Sequence, residues 1–370
     1  MFWGLSTNKT TMQANKTELR KKNIIYSLVL ILAVGGVYVY RNYIKNPIPK
    51  QLENLVEVYN TGITMGVINY NIKYLAQEGV DLQLGIDSVL KAFNQSLSTY
   101  IPESEISRFN KPDTKSLVFE SSFFYPVLKA SKEVYDATGG AFDPTIMPLV
   151  NAWGFGPDKA PTLKDEDSTK VDSLLQLVDY SLINFNQDSI TKQKLGLQLD
   201  FSAVAKGYAV DLVANYLSEH NIDNFMVEIG GELSCHGTNI KGDTWLIGID
   251  NPTYLERGGQ MLSGKVKLKD KGLATSGNYR NFYIKEGKKY AHTISPHTGR
   301  PVQHSLLSAS VFAENCMLAD AYATAFMVIG KDSAVQILEN NKDIEGFLIY
   351  DEEGELKTYT SPSLENYLVK

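Results

Sequence analysis

The strongest constraint on this chain is a run of 17 uncharged, largely apolar residues, 24–40 (IIYSLVLILAVGGVYVY), near its amino terminus. A helix needs about 20 such residues, and at the least about 17, to cross the hydrocarbon core of a bilayer. Signal-peptide cores run to about 7–15 residues and end at a small-residue cleavage site. Here Val37, Tyr38, Val39 and Tyr40 are bulky, and no cysteine lies nearby to take a lipid. Basic flanks and the lack of a polar face argue against a helix in a soluble core. The segment reads as an uncleaved anchor, with a cleaved signal peptide as the alternative. Lys9, Lys16, Arg20, Lys21 and Lys22 precede it, and Arg41 and Lys45 follow. Basic residues collect on the cytoplasmic side of a span. The expected organisation is a cytoplasmic basic tail (1–23), a transmembrane anchor (24–40), a linker with Pro47 and Pro49 (41–50) and a globular domain (51–370). That places a single-pass protein in the plasma (inner) membrane, anchored in lipid, with its globular domain extracytoplasmic, or periplasmic.

The charge divides along the same line. The net charge of the 370 residues is −6, but residues 1–45 carry +6 and the remainder −12. An acidic domain has no electrostatic footprint for nucleic acid. With 43% hydrophobic and 21% charged residues, disordered and collagen-like classes are excluded. Two cysteines, Cys235 and Cys316, cannot supply a zinc-finger set; whether they pair is open.

In the globular part, Ile86, Val89, Leu90, Phe93 and Leu97 recur at helical spacing, as do Phe124, Val127, Leu128, Val134 and Tyr135. Gly139-Gly140 stops the second helix, and Val171, Leu174, Leu175 and Val178 mark a third. Strands are expected at 181–185, 195–200, 225–229, 245–249, 261–268 and 347–350, with further helices at 205–217 and 318–329. The pattern is α+β, mixed sheets with packed helices, without regular βαβ alternation.

Several polar, glycine-rich segments lie between these elements, where loops carry function. Residues 138–145 (TGGAFDPT) form a tight turn with Asp143 fixed before Pro144; alone they are also a helix stop. In 200–211 (DFSAVAKGYAVD) a strand ends and Lys206-Gly207 opens a helix. Amides at a helix start plus a lysine suit a phosphate, although a surface lysine is equally compatible. In 228–232 (EIGGE) a strand runs into a glycine pair between two carboxylates, which could orient a hydroxylated ligand or form a plain turn. Residues 274–280 (ATSGNYR) and 292–302 (HTISPHTGRPV) are turns with polar and cationic groups, His292 sitting at a strand end. Asp320 and Thr324, four apart in 319–330, share one helix face. They can offer two oxygens to a hard cation such as Mg2+, or act as a cap and surface decoration.

Each segment is weak evidence, but their order is specific. With Met65-Gly66 and the stretch 98–110 (STYIPESEISRFN), they resemble the FAD:protein FMN transferases of the ApbE family, from about residue 65 to 330. The resemblance implies a T-fold-like, ApbE-type domain. Its implied reaction splits the FAD pyrophosphate with Mg2+ and places FMN on a Thr hydroxyl of a target flavoprotein, releasing AMP. Met65, Tyr100, Ala141, Phe142, Asp143, Asp200, Lys206 and Ile294 match positions that hold FAD. The carbonyl of Ala203, with Asp320, Ala323 and Thr324, matches the metal site, and His292 the general base. Ser295 stands where the family usually has Asp, which removes a charge from the His292 loop. The usual lipoprotein cysteine is absent, the apolar span replacing it as anchor. The implied partner is a separate acceptor flavoprotein, membrane-bound or secreted, since the chain has no acceptor-type segment of its own. An FAD pyrophosphatase and a non-catalytic FAD carrier are the alternatives. Because the domain is acidic overall, Lys206, Arg280, Arg300 and the metal are expected to reverse the field around a polyanionic ligand.

Overall fold

The computed structural model describes residues 7–40, 49–157, 162–163, 167–252, 261–277, 282–285, 288–291 and 293–369. The chain divides into two compact units, Met1–Asn54 with Ile240–Gly242, and Leu55–Asn239 with Asp243–Lys370. In the first, helix α1 (Thr7–Val39) contains an 18-residue window, Lys21–Tyr38, of mean hydropathy 1.3 that is wholly unburied. By length and composition it can cross a membrane. Residues 41–48 of the expected linker lie outside the described residues.

The second unit is built on an eight-stranded antiparallel sheet whose strands lie side by side in chain order. They are β1 (Val56–Thr64), β2 (Ile68–Ala76), β3 (Phe225–Ile229), β4 (Glu232–His236), β5 (Lys271–Gly277), β6 (Leu306–Ala313), β7 (Glu345–Glu352) and β8 (Glu355–Thr360). Every connection except the short hairpins carries an insertion, and the insertions pack against the sheet. Helices α2 (Gln83–Leu97), α3 (Phe124–Ala137) and α4 (Ala205–Glu219) come between β2 and β3. Helices α5 (Cys316–Ile329) and α6 (Lys331–Asn340) come between β6 and β7.

The middle of the sheet is covered on both faces. Ala274, Val311, Ala313 and Leu348 belong to the core cluster that α4 and α5 share. Their chain neighbours Leu273, Phe312, Phe347 and Ile349 belong to a second cluster. That cluster is completed by a small antiparallel sheet of Trp245–Asp250, Leu262–Leu268 and Leu368–Val369. Successive residues of a strand point to opposite faces, so burial on both sides erases the alternating pattern. This is why 306–313 (LLSASVFA) carries no strand signature of the half-buried kind.

The helices and four of the strands expected from sequence are present. The expected helix marked by Val171–Val178 lies three residues earlier, at Ser168–Leu175. Strand 181–185 begins only at Ile183, after a turn of 3-10 helix at Tyr180–Leu182. The expected strand at 195–200 is absent but for one bridge, Ile146 to Gln198. Side chains take over its backbone partners: Asn110 Oδ1 accepts from Leu199 N at 2.7 Å while its amide donates to Leu199 O at 2.8 Å. The buried Lys192 ammonium donates to Leu197 O at 2.8 Å and Phe109 O at 2.9 Å. Cys235 and Cys316 are free and buried, without a disulfide.

Candidate active site

A cavity of about 910 Å³ lies within the second unit, at the upper end of the range of about 300–1,000 Å³ usual for ligand sites. Its walls come from different cores. Leu233, Ile249 and Leu273 reach it from the cluster under the small sheet. Ile146, Val150, Phe155 and Ile294 reach it from a third cluster around Trp153. Among its polar groups, Lys206 stands on α4, Asp320 and Thr324 on α5, and Glu232 just after the β3–β4 turn.

Tyr100, Ala141, Phe142, Asp143, Asp200, Ala203, Lys206, Ile294, Asp320 and Thr324 all line this cavity. Gly139 and Gly140, at φ 59° and 85°, turn the chain sharply after α3 and deliver Ala141–Phe142–Asp143 to the wall. Asp143 is pinned as it arrives. Its Oδ1 accepts from Thr145 N at 2.8 Å and Thr145 Oγ1 at 2.7 Å, and its Oδ2 accepts from Tyr180 N at 3.1 Å. Burial pushes this carboxyl up to about 6 against those hydrogen bonds.

Met65 is not on the wall: it forms the β1–β2 hairpin tip at φ 48°, and Ile68 lines the cavity from that hairpin. Ala323 is likewise off the wall, fully buried in α5. His292 and Arg280 lie outside the described residues, although Thr293 and Ile294 line the cavity. Arg300 is not among the lining residues, which leaves Lys206 as the one cation on the described wall.

Lys206 sits in the first turn of α4, ion-paired to Glu232. Burial would lower its pKa, but Asp320 and Glu232 outweigh that and raise it, so it stays an ammonium. Burial raises the Asp320 carboxyl against the pull of Lys206. Asp320 Oδ2 accepts from Gly207 N at 3.0 Å, and Thr324 Oγ1 lies 3.1 Å from Ser276 Oγ. The α4–α5 crossing that sets these groups is itself tied at the helix start. Asp211, from the middle of α4, accepts from Cys316 N and Met317 N, each at 2.8 Å, satisfying amides that an α-helix leaves unpaired. The sequence alone assigned no role to Ser276 or Asp211, and left Glu232 in a turn open to a ligand. Asp211 was the detectable one, a lone carboxylate inside an apolar helical stretch.

Among the described residues no three His, Cys, Asp or Glu side chains gather as a metal cluster. One carboxylate, one hydroxyl and the Ala203 carbonyl suit a cation that keeps water and takes phosphate oxygens, as Mg2+ does. The substitution at 295 leaves the loop closed. Ser295 Oγ accepts from His297 N at 3.3 Å and Thr298 N at 3.4 Å, and Ser295 N donates to Arg300 O at 2.9 Å. The hydroxyl thus closes the turn as a carboxylate could.

Known proteins share this architecture. The sequence profile of the ApbE family matches residues 65–348. The FAD:protein FMN transferase of Vibrio cholerae is 36% identical over 318 residues, which is 85% of this chain and 93% of that protein. The structure of the flavin transferase ApbE from Vibrio cholerae superposes with a TM-score of 0.76 at 34% identity, covering 85% of this chain and 99% of that one. The apo flavinyl transferase ApbE of Pseudomonas stutzeri gives 0.75 at 30% identity, covering 85% and 96%. The fold, the order of the cavity segments and these relatives agree: the chain belongs to the ApbE family.

Proposed function

We propose that this protein transfers FMN from FAD to a Thr hydroxyl of an acceptor flavoprotein, releasing AMP. The observation that carries the reading is the cavity. Two apolar walls from separate cores, with Lys206, Asp320 and Thr324 also on the wall, suit a ligand with two flat ring systems joined by a diphosphate. The names of the relatives point to the same chemistry.

In the reaction the Thr oxygen attacks the phosphorus bonded to the ribityl chain. A new P–O bond forms, the bridging P–O bond breaks, and AMP leaves with the electron pair. The Thr proton goes to His292, a side-chain type whose reference pKa of about 6.5 suits a general base near neutral pH. Lys206 faces the diphosphate as a fixed positive charge, and Phe142 and Ile294 bound the site on its apolar side. Asp320, Thr324 and the Ala203 carbonyl would hold Mg2+, which supplies neutralisation of the charge that develops on phosphate oxygens. With a net −12 outside residues 1–45, this local reversal of field falls to Lys206 and the ion.

The test mixes the full chain in detergent with FAD, Mg2+ and a candidate acceptor, reading in-gel flavin fluorescence and AMP. Labelled acceptor is the expected result. AMP without label would replace transfer by hydrolysis, and no AMP would leave a carrier. His292→Ala should still bind FAD yet lose about 10²–10⁴-fold in transfer; transfer at the wild-type rate would move the base elsewhere.

The amino-terminal helix is a candidate membrane span. We infer that it anchors the protein with the domain outside the cytoplasm, facing a membrane or secreted acceptor. Protease added to intact spheroplasts should then digest the domain, and protection would reverse the orientation.

A further inference from the structure

The carboxylate of Glu232 is half used. The residue is 2% exposed and opens β4, directly after the Gly230-Gly231 turn. Both glycines have positive φ, 61° and 103°, the two-residue hairpin turn that only small residues adopt readily. The turn delivers Glu232 to the cavity wall beside Lys206. One carboxylate oxygen, Oε1, takes the Lys206 ammonium; the other, Oε2, is buried without a hydrogen-bond partner among the described residues. A Cβ on Gly230 would come 2.7 Å from Ile68 Cγ2, 3.4 Å from the Lys206 stem and 3.7 Å from Oε2. The bare glycine therefore keeps the space around that oxygen open.

A buried acceptor without a donor is costly, and such groups in folded proteins call for a specific explanation. If Glu232 served only to brace Lys206, a single oxygen would do, and the second would carry a desolvation cost with nothing to offset it. A donor supplied by the ligand removes that cost. Lys206 faces the diphosphate in the reading given above, and the FAD groups that flank the diphosphate are sugar-type hydroxyls, with the two ring systems further off. Asp320 and Thr324, on α5, are the side chains suited to the cation, so Glu232 is free for a hydroxyl.

Resting on that reading, we propose that Glu232 binds the dinucleotide directly, its Oε2 accepting a hydrogen bond from a ribityl or ribose hydroxyl beside the diphosphate while Oε1 holds Lys206. The site then selects sugar-bearing diphosphates over bare ones, because a ligand lacking the hydroxyl leaves a buried oxygen unpaired.

The test is a double-mutant cycle on the FAD dissociation constant, read by flavin fluorescence with the full chain in detergent. Glu232→Leu should weaken FAD binding by about 10-fold or more. Introduced into Lys206→Met, the same change should weaken it again, by about 5-fold. No loss in the wild-type background, or none beyond Lys206→Met, overturns the direct contact. Glu232→Gln keeps the size of the side chain and guards against a folding failure. It should raise the KM for FAD; an unchanged KM overturns the proposal. Should the wild-type chain itself not bind FAD, the functional reading falls with it. Wild-type binding with indifferent Glu232 variants overturns this inference alone.

Discussion

Replacing Asp320 by alanine is expected to reduce both AMP release and FMN transfer by about 10³-fold, the scale of losing a preorganised group that offsets charge forming in the transition state. Two features make the loss large. Asp320 is 3% exposed, so the charge that is lost is a buried one. Its Oδ2 is also the partner of Gly207 N at 3.0 Å, so alanine leaves a buried amide unpaired next to Lys206. Lys206 would then keep Glu232 as its near carboxylate, shifting its charge away from the helix face that carries Thr324. Raising Mg2+ should restore little, because one hydroxyl and one carbonyl are a poor set for a hard cation. AMP release measured across a Mg2+ titration decides it. Wild-type turnover of this variant in chelator would remove the metal assignment altogether.

The parts of the fold legible in the sequence were those with one dominant period. Helices α2 and α3 show their apolar stripe, and the Gly139-Gly140 stop is visible because left-handed backbone is written in glycine. Of the main sheet only β3 and β7 were expected; β1, β2, β4, β5, β6 and β8 were missed. The exposed Tyr59 and Ile63 of β1 blur its pattern, and β6 is buried on both faces. The false strand at 195–200 had suitable residues but lost its ladder to Asn110 and Lys192, two side chains remote in sequence from Leu199 or unremarkable beside it. The cavity was legible as an order of segments rather than as any single motif. Lys206, Asp320 and Thr324 were proposed from local chemistry, and the fold brings them to one wall. For 228–232 the sequence left a ligand and a plain turn equally open, because the deciding signal, an unpaired Glu232 oxygen under a glycine turn, exists only once β3, β4 and α4 are together.

The same dependence on close approach makes Gly207→Ala a damaging substitution at the site. In the native packing that methyl would come 2.3 Å from Cys316 O, 2.7 Å from Cys316 C and 2.8 Å from Asp320 Cβ. Two of these three are backbone atoms at the start of α5, held in turn by Asp211 through Cys316 N and Met317 N. No rotamer change can absorb the clash; the helices must part. Overpacking usually costs about 1–3 kcal/mol, and a backbone neighbour places this case at about 3 kcal/mol. Alanine's better helix propensity returns only about 1 kcal/mol of that. Parting α4 from α5 also lengthens the Gly207–Asp320 hydrogen bond and separates Lys206 from Asp320, so turnover should fall further than stability alone requires. Gly264→Ala is the control, because its added methyl would meet Phe347 Cζ at an ordinary 3.7 Å. Thermal melting should show Gly207→Ala well below wild type and Gly264→Ala near it. If Gly207→Ala melts and turns over like wild type, the α4–α5 contact is not what fixes the site.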